Sequence, residues 1–241
     1  MMKPLILDID GTLLFAAPQP GALVVKGRRR DSFLARETIH VLVCLQEKYD
    51  LYLATGRSEN SSRVISEMMS REGIIISGMA AENGGVWVDV NGIARYLVSE
   101  EWIGATRKAV SVMGNLAQDE FKTCLALLRP EPDDIQRALS VYMNAKLQFR
   151  LLQDGNKLFV LERSVCKKQA LVYGIGTSFS LSAGAGNDLN DLNWLECIEF
   201  PICTSCSKEE VKQAVSNKSG YISPKNGHEG IQDALKFMLG K

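Results

Sequence analysis

A short apolar run near the beginning of the chain ends in two aspartates, and this feature constrains the fold most strongly. Residues 4–7 are typical of a buried strand, and Asp8 and Asp10 follow them. In extended backbone, residues two apart point the same way, so both carboxylates face one side. Two like charges beside an apolar core are unfavourable unless a cation lies between them or one is protonated. The pattern therefore predicts a divalent-cation site at the end of a strand, with a phosphate completing the cation's shell.

The two residues after Asp10 fit the same interpretation. Gly11 lets the backbone leave the strand sharply, and Thr12 places a hydroxyl and an amide beside the carboxylates. The alternative is an ordinary turn at a strand end, where Asp and Gly are common. The string Asp-x-Asp-Gly-Thr directly after an apolar strand favours the site over the turn.

Composition narrows the classes of partner. The chain has 241 residues, 46% of them hydrophobic, and 28 basic side chains balance 28 acidic ones. This length fits one large or two small domains with an ample core. Without a basic excess, we expect neither nucleic acid nor an anionic membrane as the principal partner. The basic tract at residues 26–30 favours a solvated loop, the alternative being that it flanks an anionic substrate.

Targeting and cysteine patterns predict a cytoplasmic location. No segment approaches the roughly 20 continuous apolar residues that a membrane span needs. We expect no signal peptide, because Asp8 and Asp10 interrupt the apolar run near the N-terminus. The six cysteines include one Cys-x-x-Cys, at Cys203 and Cys206, with no second pair for zinc. Reduced thiols in a cytosolic protein are therefore expected.

The pattern of strands and helices predicts an α/β protein with a Rossmann-like parallel sheet and an inserted α+β domain. Strands at 4–7, 51–54 and 74–76 alternate with helices at 33–48 and 60–71, after a polar loop at 15–31. From residue 84 the chemistry changes to hairpins, with an Asn91-Gly92 turn first and an Asp154-Gly155-Asn156 turn later. Helices at 101–116 and 133–144 and a strand at 123–128 lie between them. The alternation then resumes with helices at 164–173, 188–195, 208–216 and 229–239 and strands at 180–183 and 198–202. We therefore assign residues 1–83 and 162–241 to a core domain and 84–161 to the insert.

Three further motifs lie at predicted strand ends or helix starts. Thr55-Gly56-Arg57 offers a hydroxyl and amides to a phosphate oxygen, although Thr-Gly ends many strands. Lys167 or Lys168 opens the helix after the insert and could balance the carboxylates, the alternative being solvated surface lysines. Residues 184–191 combine glycines with acidic and amide side chains, which suits a metal site.

In this order, the motifs resemble those of the haloacid dehalogenase-like superfamily, which consists mostly of phosphatases with an aspartate nucleophile. Residues 81–85, Ala-Glu-Asn-Gly-Gly, resemble the entrance to the cap of its C2 subgroup, which includes Cof-like sugar phosphatases and sucrose and mannosyl-phosphoglycerate phosphatases. The resemblance implies catalysis by Asp8 and Asp10, phosphate binding by Thr55, Gly56 and Lys167, and Mg²⁺ as cofactor. It implies metal ligands among Asp8, Asp10, Asn187, Asp188 and Asp191, and a substrate or hinge role for Arg57 and Asn83.

This chain departs from the family pattern at two positions, which leaves alternatives open. Lys168 stands where glycine is usual, so the functional lysine is Lys167 or its neighbour. Asn187 replaces the first aspartate of the last motif, so Asn187 ligates through its neutral carbonyl or Asp188 does. The preferred interpretation is an enzyme that hydrolyses a small phosphorylated metabolite through an aspartyl phosphate. A phosphomutase and a non-catalytic binding protein of the same fold are the alternatives, and the substrate and oligomeric state stay open.

Overall fold

The computed structural model describes residues 2–27 and 30–240, so Arg28 and Arg29 of the basic tract lie outside the described residues. The strands are β1 Lys3–Asp8, β2 Leu23–Val25, β3 Ser32–Leu34, β4 Tyr49–Ala54, β5 Ile76–Ala81, β6 Val86–Asp89, β7 Ala94–Tyr96, β8 Leu125–Leu128, β9 Phe149–Asp154, β10 Lys157–Glu162, β11 Ala183–Ala185, β12 Phe200–Thr204 and β13 Tyr221–Ser223. The helices are α1 Arg36–Leu45, α2 Glu59–Arg71, α3 Glu100–Met113, α4 Pro132–Asn144, α5 Lys167–Ile175, α6 Leu192–Leu195, α7 Glu209–Asn217 and α8 Gly227–Leu239. Across these described residues, no helix has both the length and the apolar character needed to span a bilayer.

A large sheet carries the strand ends that the motifs follow. Its order is β13-β12-β11-β1-β4-β5-β6-β7, and the six strands from β13 to β5 run parallel. Strand β1 lies between β11 and β4, with Asp8 opposite Ala54 and Leu7 opposite Ala185. The motifs after these three strands therefore meet at one edge of the sheet, as parallel strands require.

The large sheet is buried on both faces, which explains its continuous apolar strands. Leu5 and Leu7 of β1 pack into a core with α1, α2 and α8, while Ile6 packs on the other side with α5, α6 and α7. Side chains alternate between the two faces along each strand. Asp8, the last residue of β1, and Asp10 just beyond it are thus held by a strand that is buried on both faces.

A second, smaller unit has its own core. Strands β8, β10 and β9 form an antiparallel sheet in the order β8-β10-β9, and α3 and α4 cover one face. Leu158 and Val160 of β10 pack under these helices, whereas Phe159 and Leu161 lie on the opposite face. Phe159, on this opposite face, lines the predicted site.

The hairpin at residues 84–98, which the sequence analysis placed in the insert, pairs with the large sheet. Strands β6 and β7 continue the large sheet, because β6 pairs antiparallel with β5. Val86 and Val88 pack into one core of this sheet and Trp87 into the other, so the strand is buried on both faces. A hairpin turn fixes which strands are neighbours in sequence but not which sheet they join. We keep the division into core and insert as a proposal, with the insert beginning after β7.

Several predicted boundaries also differ from the structure. The loop at 15–31 contains β2, which pairs with β3, so the predicted helix at 33–48 begins only at Arg36. Residues 176–181 form a 3-10 helix, and the strand predicted at 180–183 follows it as β11. The helix predicted at 188–195 is a 3-10 turn followed by the short α6. Strand β13 was missed, because three residues carry little periodicity.

Candidate active site

A cleft at the carboxyl edge of the large sheet brings the sequence motifs together. Residues from the ends of β1 and β4, from the loop after β11 and from the insert line it: Asp8, Asp10, Thr55, Gly56, Arg57, Asp154, Lys157, Phe159, Asn187, Asp188 and Asn190. Seven of these eleven are predicted site residues. Of the other predicted residues, Lys167 and Asp191 lie buried beneath the cleft, and Asn83 lies beside Gly56.

The floor of the cleft is a cluster of three buried charged groups, which we call the lysine cluster: Lys167, Asp8 and Asp191. The Nζ atom of Lys167 lies 2.7 Å from Asp8 Oδ1 and 2.8 Å from Asp191 Oδ1. The side chain of Lys167 is 1% exposed, although Lys167 is the first residue of α5. Its neighbour Lys168 makes no contact with these carboxylates within the described residues. Lys167 is therefore the lysine that the fold brings to Asp8.

Burial governs the protonation of the lysine cluster. Removal from water raises the pKa of Asp8 to about 8, the nearby charge of Asp191 adds to this, and Lys167 opposes both. Burial disfavours the charged Lys167, but the charges of Asp191 and Asp8 outweigh it and raise the pKa of the ammonium. With both carboxylates ionised, the cluster carries one net negative charge, which a proton on Asp8 or a bound cation offsets.

Both carboxylate oxygens of Asp191 accept hydrogen bonds from neighbouring groups. Besides Lys167, its Oδ1 accepts a bond of 3.1 Å from the Trp194 indole, and its Oδ2 accepts from the amides of Asn187 and Asp188. It is 0% exposed. Asp191 therefore shapes the loop after β11 and orients Lys167, and it does not reach the cleft.

Asn187 and Asp188 occupy the mouth of this loop. The hydroxyl of Thr12 donates to Asn187 Oδ1 at 3.3 Å, and a Cβ atom added to Gly11 would lie 2.2 Å from Asn187 Nδ2. A glycine at position 11, with φ +78°, therefore makes room for the amide of Asn187. Asp188 caps the following turn, its Oδ1 accepting from the amide of Leu189 at 2.7 Å.

The turn after β4 holds Thr55, Gly56 and Arg57. Thr55 is 1% exposed, its amide donates to Ala80 O at 2.8 Å, and its hydroxyl oxygen accepts from the amide of Arg57. Arg57 forms a two-pronged ion pair with Asp10, with N–O distances of 2.6 and 2.7 Å. The carboxylate of Asp10 is thus tied to this turn and points away from the lysine cluster.

Three residues that line the cleft come from the insert and were not predicted as site residues from the sequence. Asp154, Lys157 and Phe159 come from the β9–β10 hairpin and face the core motifs across the cleft. Partial burial, and then the charge of Asp188, raise the pKa of Asp154. The Asp154-Gly155-Asn156 turn was a visible hairpin signal, but only the packing of the hairpin shows that it reaches the cleft.

Glu82 is a second residue that the sequence did not single out. It is 0% exposed, and its carboxylate accepts from the amides of Glu59, Lys122 and Thr123 and from the Thr123 hydroxyl. We call this set the glutamate junction. It joins the start of α2 in the core to the segment before β8 in the insert. No periodic pattern marks such a residue, because its partners are distant main-chain amides.

The architecture agrees with that of many solved structures. A haloacid dehalogenase-like hydrolase from Bacteroides thetaiotaomicron aligns over 99% of this chain and 100% of its own, with a TM-score of 0.71 at 14% identity. A trehalose-6-phosphate phosphatase related protein aligns over 98% and 96%, with a TM-score of 0.65 at 16% identity. The chain has the fold of haloacid dehalogenase-like hydrolases. The predicted fold class and the resemblance stated from the motifs are confirmed at this level.

A third structure extends the same likeness to a named phosphatase. The C-terminal domain of trehalose-6-phosphate phosphatase from C. albicans aligns over 99% of this chain and 92% of its own, with a TM-score of 0.64 at 15% identity. No family model and no curated protein sequence matches the chain. The shared fold does not by itself assign an activity, which must be argued from the site.

Proposed function

We propose that this protein is a phosphatase that hydrolyses a small phosphorylated metabolite through an aspartyl phosphate on Asp8. The observation that carries the proposal is the position of Asp8, which lies on the buried Lys167 and borders a cleft with Thr55 and Gly56. A carboxylate nucleophile needs a fixed position, and a phosphoryl group needs compensating charge and amide donors. The cleft supplies all of these at one strand edge.

The residues divide the reaction between them. Asp8 Oδ1 is held by Lys167, and Oδ2 accepts no hydrogen bond from the described residues, so Oδ2 attacks phosphorus. The bond from phosphorus to the ester oxygen breaks, and Asp10, which takes a proton from solvent once it has left Arg57, gives that proton to the leaving oxygen. Asp10 then takes a proton from water, the water oxygen attacks phosphorus, and Asp8 is released with inorganic phosphate. Lys167, Thr55 and the amide of Gly56 hold the phosphoryl oxygens.

Asp10 must turn for this role. Its carboxylate is bound to Arg57 and is 55% exposed, so rotation of the side chain meets little steric hindrance. A phosphorylated substrate offers Arg57 another anion and so competes with Asp10 for the guanidinium. Binding of the substrate to Arg57 thus releases Asp10, which then acts as the acid and later as the base.

The donors at this edge fit Mg²⁺ in chemical type. Among the described residues, no three His, Cys, Asp or Glu side chains are grouped to hold a metal ion. An oxygen set is nevertheless present in the Asp8 carboxylate, the Asp10 main-chain carbonyl and the Asn187 amide oxygen, with Asp188 beside them, and Mg²⁺ prefers oxygen donors. Asp191 is left out, because its oxygens are engaged elsewhere. A bound Mg²⁺ would offset the negative charge of the Asp8 carboxylate and the phosphoryl group.

In the proposed reaction the insert acts as a lid over the cleft. Asp154, Lys157 and Phe159 cover the side of the cleft opposite Asp8, where the leaving group would lie. Such a cover excludes bulk water and contacts the leaving group directly. The substrate is therefore selected by insert side chains, while the core carries out the phosphoryl chemistry.

A non-catalytic protein that binds phosphorylated ligands is the second candidate, and Asn187 favours it. The neutral amide stands where a carboxylate ligand would strengthen a metal site. If Asn187 has removed activity, Asn187→Asp should create metal-dependent turnover that the wild type lacks.

Phosphate release from a panel of phosphomonoesters, with Mg²⁺ and with a chelator, tests the proposal on wild type and Asp8→Asn. We expect metal-dependent release in the wild type and none in the variant, because an amide cannot act as the nucleophile. Circular dichroism of the variant checks that its fold is intact. Retained turnover in folded Asp8→Asn, or no release by the wild type from any ester, would overturn the proposal.

A further inference from the structure

The chain passes through three consecutive left-handed residues directly after β5. Glu82, Asn83 and Gly84 have φ values of 51°, 56° and 100°. Glycine adopts this conformation readily and asparagine tolerates it, whereas glutamate is strained in it. Glu82 recovers this cost, because its carboxylate accepts four hydrogen bonds. Asn83 has no such compensation within its own side chain.

This turn lies against both phosphate-binding elements. The amides of Glu82 and Asn83 donate to the carbonyl oxygens of Arg57 and Thr55 at 2.8 and 3.1 Å. A Cβ atom added to Gly84 would lie 2.1 Å from the carbonyl oxygen of Cys166, directly before Lys167. The side chain of Asn83 is therefore held between the Thr55–Gly56 turn and the start of α5.

The amide group of Asn83 is buried and has no partner. The residue is 2% exposed, and neither Oδ1 nor Nδ2 has a hydrogen-bond partner among the described residues. A Cβ atom added to Gly56, which lines the cleft, would lie 3.0 Å from Asn83 Oδ1 and 3.3 Å from Nδ2. Buried polar groups are almost always paired, and leaving one unpaired is destabilising. A buried amide without a partner, beside a turn that lines the cleft, calls for a ligand.

We propose that the Asn83 side chain binds the phosphoryl group, its Nδ2 donating a hydrogen bond to a phosphoryl oxygen beside Gly56. This inference rests on the proposed function, since it places the phosphoryl group at Thr55 and Gly56. Asn83 is then a substrate-binding residue, and Glu82 is the positioning residue that holds the left-handed turn in place. A hinge role for Asn83 would require only its backbone, which glycine reproduces.

Asn83→Gly separates these two roles, since it keeps the left-handed backbone and removes the amide. We expect its dissociation constant for inorganic phosphate, measured calorimetrically in Mg²⁺ buffer, to rise about tenfold, as for loss of one hydrogen bond to a charged group. Its melting temperature without phosphate should equal or exceed that of the wild type. Ser219→Gly is the matched control, since Ser219 also has a left-handed backbone, with φ 52°, and lies after α7 away from the cleft.

Asn83→Asp keeps the shape of the side chain and replaces the donor with a negative charge. We expect a larger loss of phosphate affinity than in Asn83→Gly, because a carboxylate repels the phosphoryl oxygens. This variant decides the matter if Asn83→Gly folds poorly. Unchanged phosphate affinity in either folded variant would overturn the inference, as would a wild type that does not bind phosphate.

Failure of this inference is distinguishable from failure of the proposed function. If the wild type hydrolyses esters but both variants bind phosphate as it does, the phosphatase stands and Asn83 is structural. If the wild type binds phosphate through Asn83 but hydrolyses no ester, the site is an anion-binding site without turnover.

Discussion

The molecule buries two sets of charged side chains, the lysine cluster and the glutamate junction, and their charges are compensated in opposite ways. In the lysine cluster, one ammonium faces two carboxylates, so side-chain charges balance only partly. In the glutamate junction, the single carboxylate of Glu82 accepts four hydrogen bonds, three of them from main-chain amides. With both carboxylates ionised, the first group carries one net negative charge, which a proton on Asp8 or a bound cation offsets. The second needs nothing more.

The lysine cluster therefore favours ligand binding, whereas the glutamate junction fixes the positions of the segments that it connects. Buried carboxylates that are fully hydrogen-bonded fix a geometry, because any movement breaks several bonds. Burial of the Asp8 carboxylate, and then the charge of Asp191 beside it, raise the pKa of Asp8, so this group favours a proton or a bound cation. Glu82 ties the start of α2 to the segment before β8, so we expect the glutamate junction to fix the position of that segment.

Lys167→Met should have the largest effect, because it leaves Asp8 and Asp191 facing each other without a counter-charge. We expect the free energy of unfolding to fall by about 3–5 kcal/mol, the usual cost of breaking a buried ion pair. Phosphate release should fall by at least about 100-fold. Urea unfolding and a phosphate assay measure both effects. Lys168→Met is the matched control, and an equal loss there would contradict the assignment of Lys167.

Glu82→Gln should have an intermediate effect on stability and a small one on chemistry. Its amide nitrogen cannot accept from the main-chain donors, so we expect a loss of about 2 kcal/mol in urea unfolding. The lysine cluster is untouched, so kcat should change less than KM if the junction positions the insert. Thr123→Val, which removes one of the four donors, should lose about 1 kcal/mol. A fall in kcat alone would place Glu82 in the chemistry instead.

Arg57→Ala should have the smallest effect on stability, at most about 1 kcal/mol, because its partner Asp10 is half exposed. We expect kcat/KM to fall about tenfold, since Asp10 loses its fixed position and the substrate loses a cation. Arg63→Ala is the comparison, because Arg63 pairs with Glu59 beside the glutamate junction. Phosphate release by Arg63→Ala should match the wild type. Equal activity losses in the two variants would show that Arg57 acts only through general electrostatics.

The site was predictable from the sequence where a residue and its strand lie together. Asp8 follows an apolar run, and Thr55 and Asn187 follow other strands, so parallel pairing alone brings them to one edge. Asp191 was predicted as a metal ligand from its position in the motif, and that role stays a prediction. In the fold its carboxylate pairs with Lys167, Trp194 and two amides.

Residues whose roles depend on distant partners were beyond the sequence. Glu82 accepts hydrogen bonds from amides about 40 positions away, and β6 pairs with β5 of the large sheet, where both of its faces are buried. Lys157 and Phe159 reach the cleft because β10 presents alternate faces to the insert helices and to the core.

The sequence by itself determined the parallel α/β core, the order of its motifs and the chemical character of the site. These follow from local periodicity and from residue types at strand ends, which each segment carries with it. Tertiary structure alone decided which lysine meets Asp8, which carboxylate is withdrawn from the cleft and which strands belong to the large sheet. The physical reason is that burial and hydrogen bonding between distant segments depend on packing, and no local pattern encodes them.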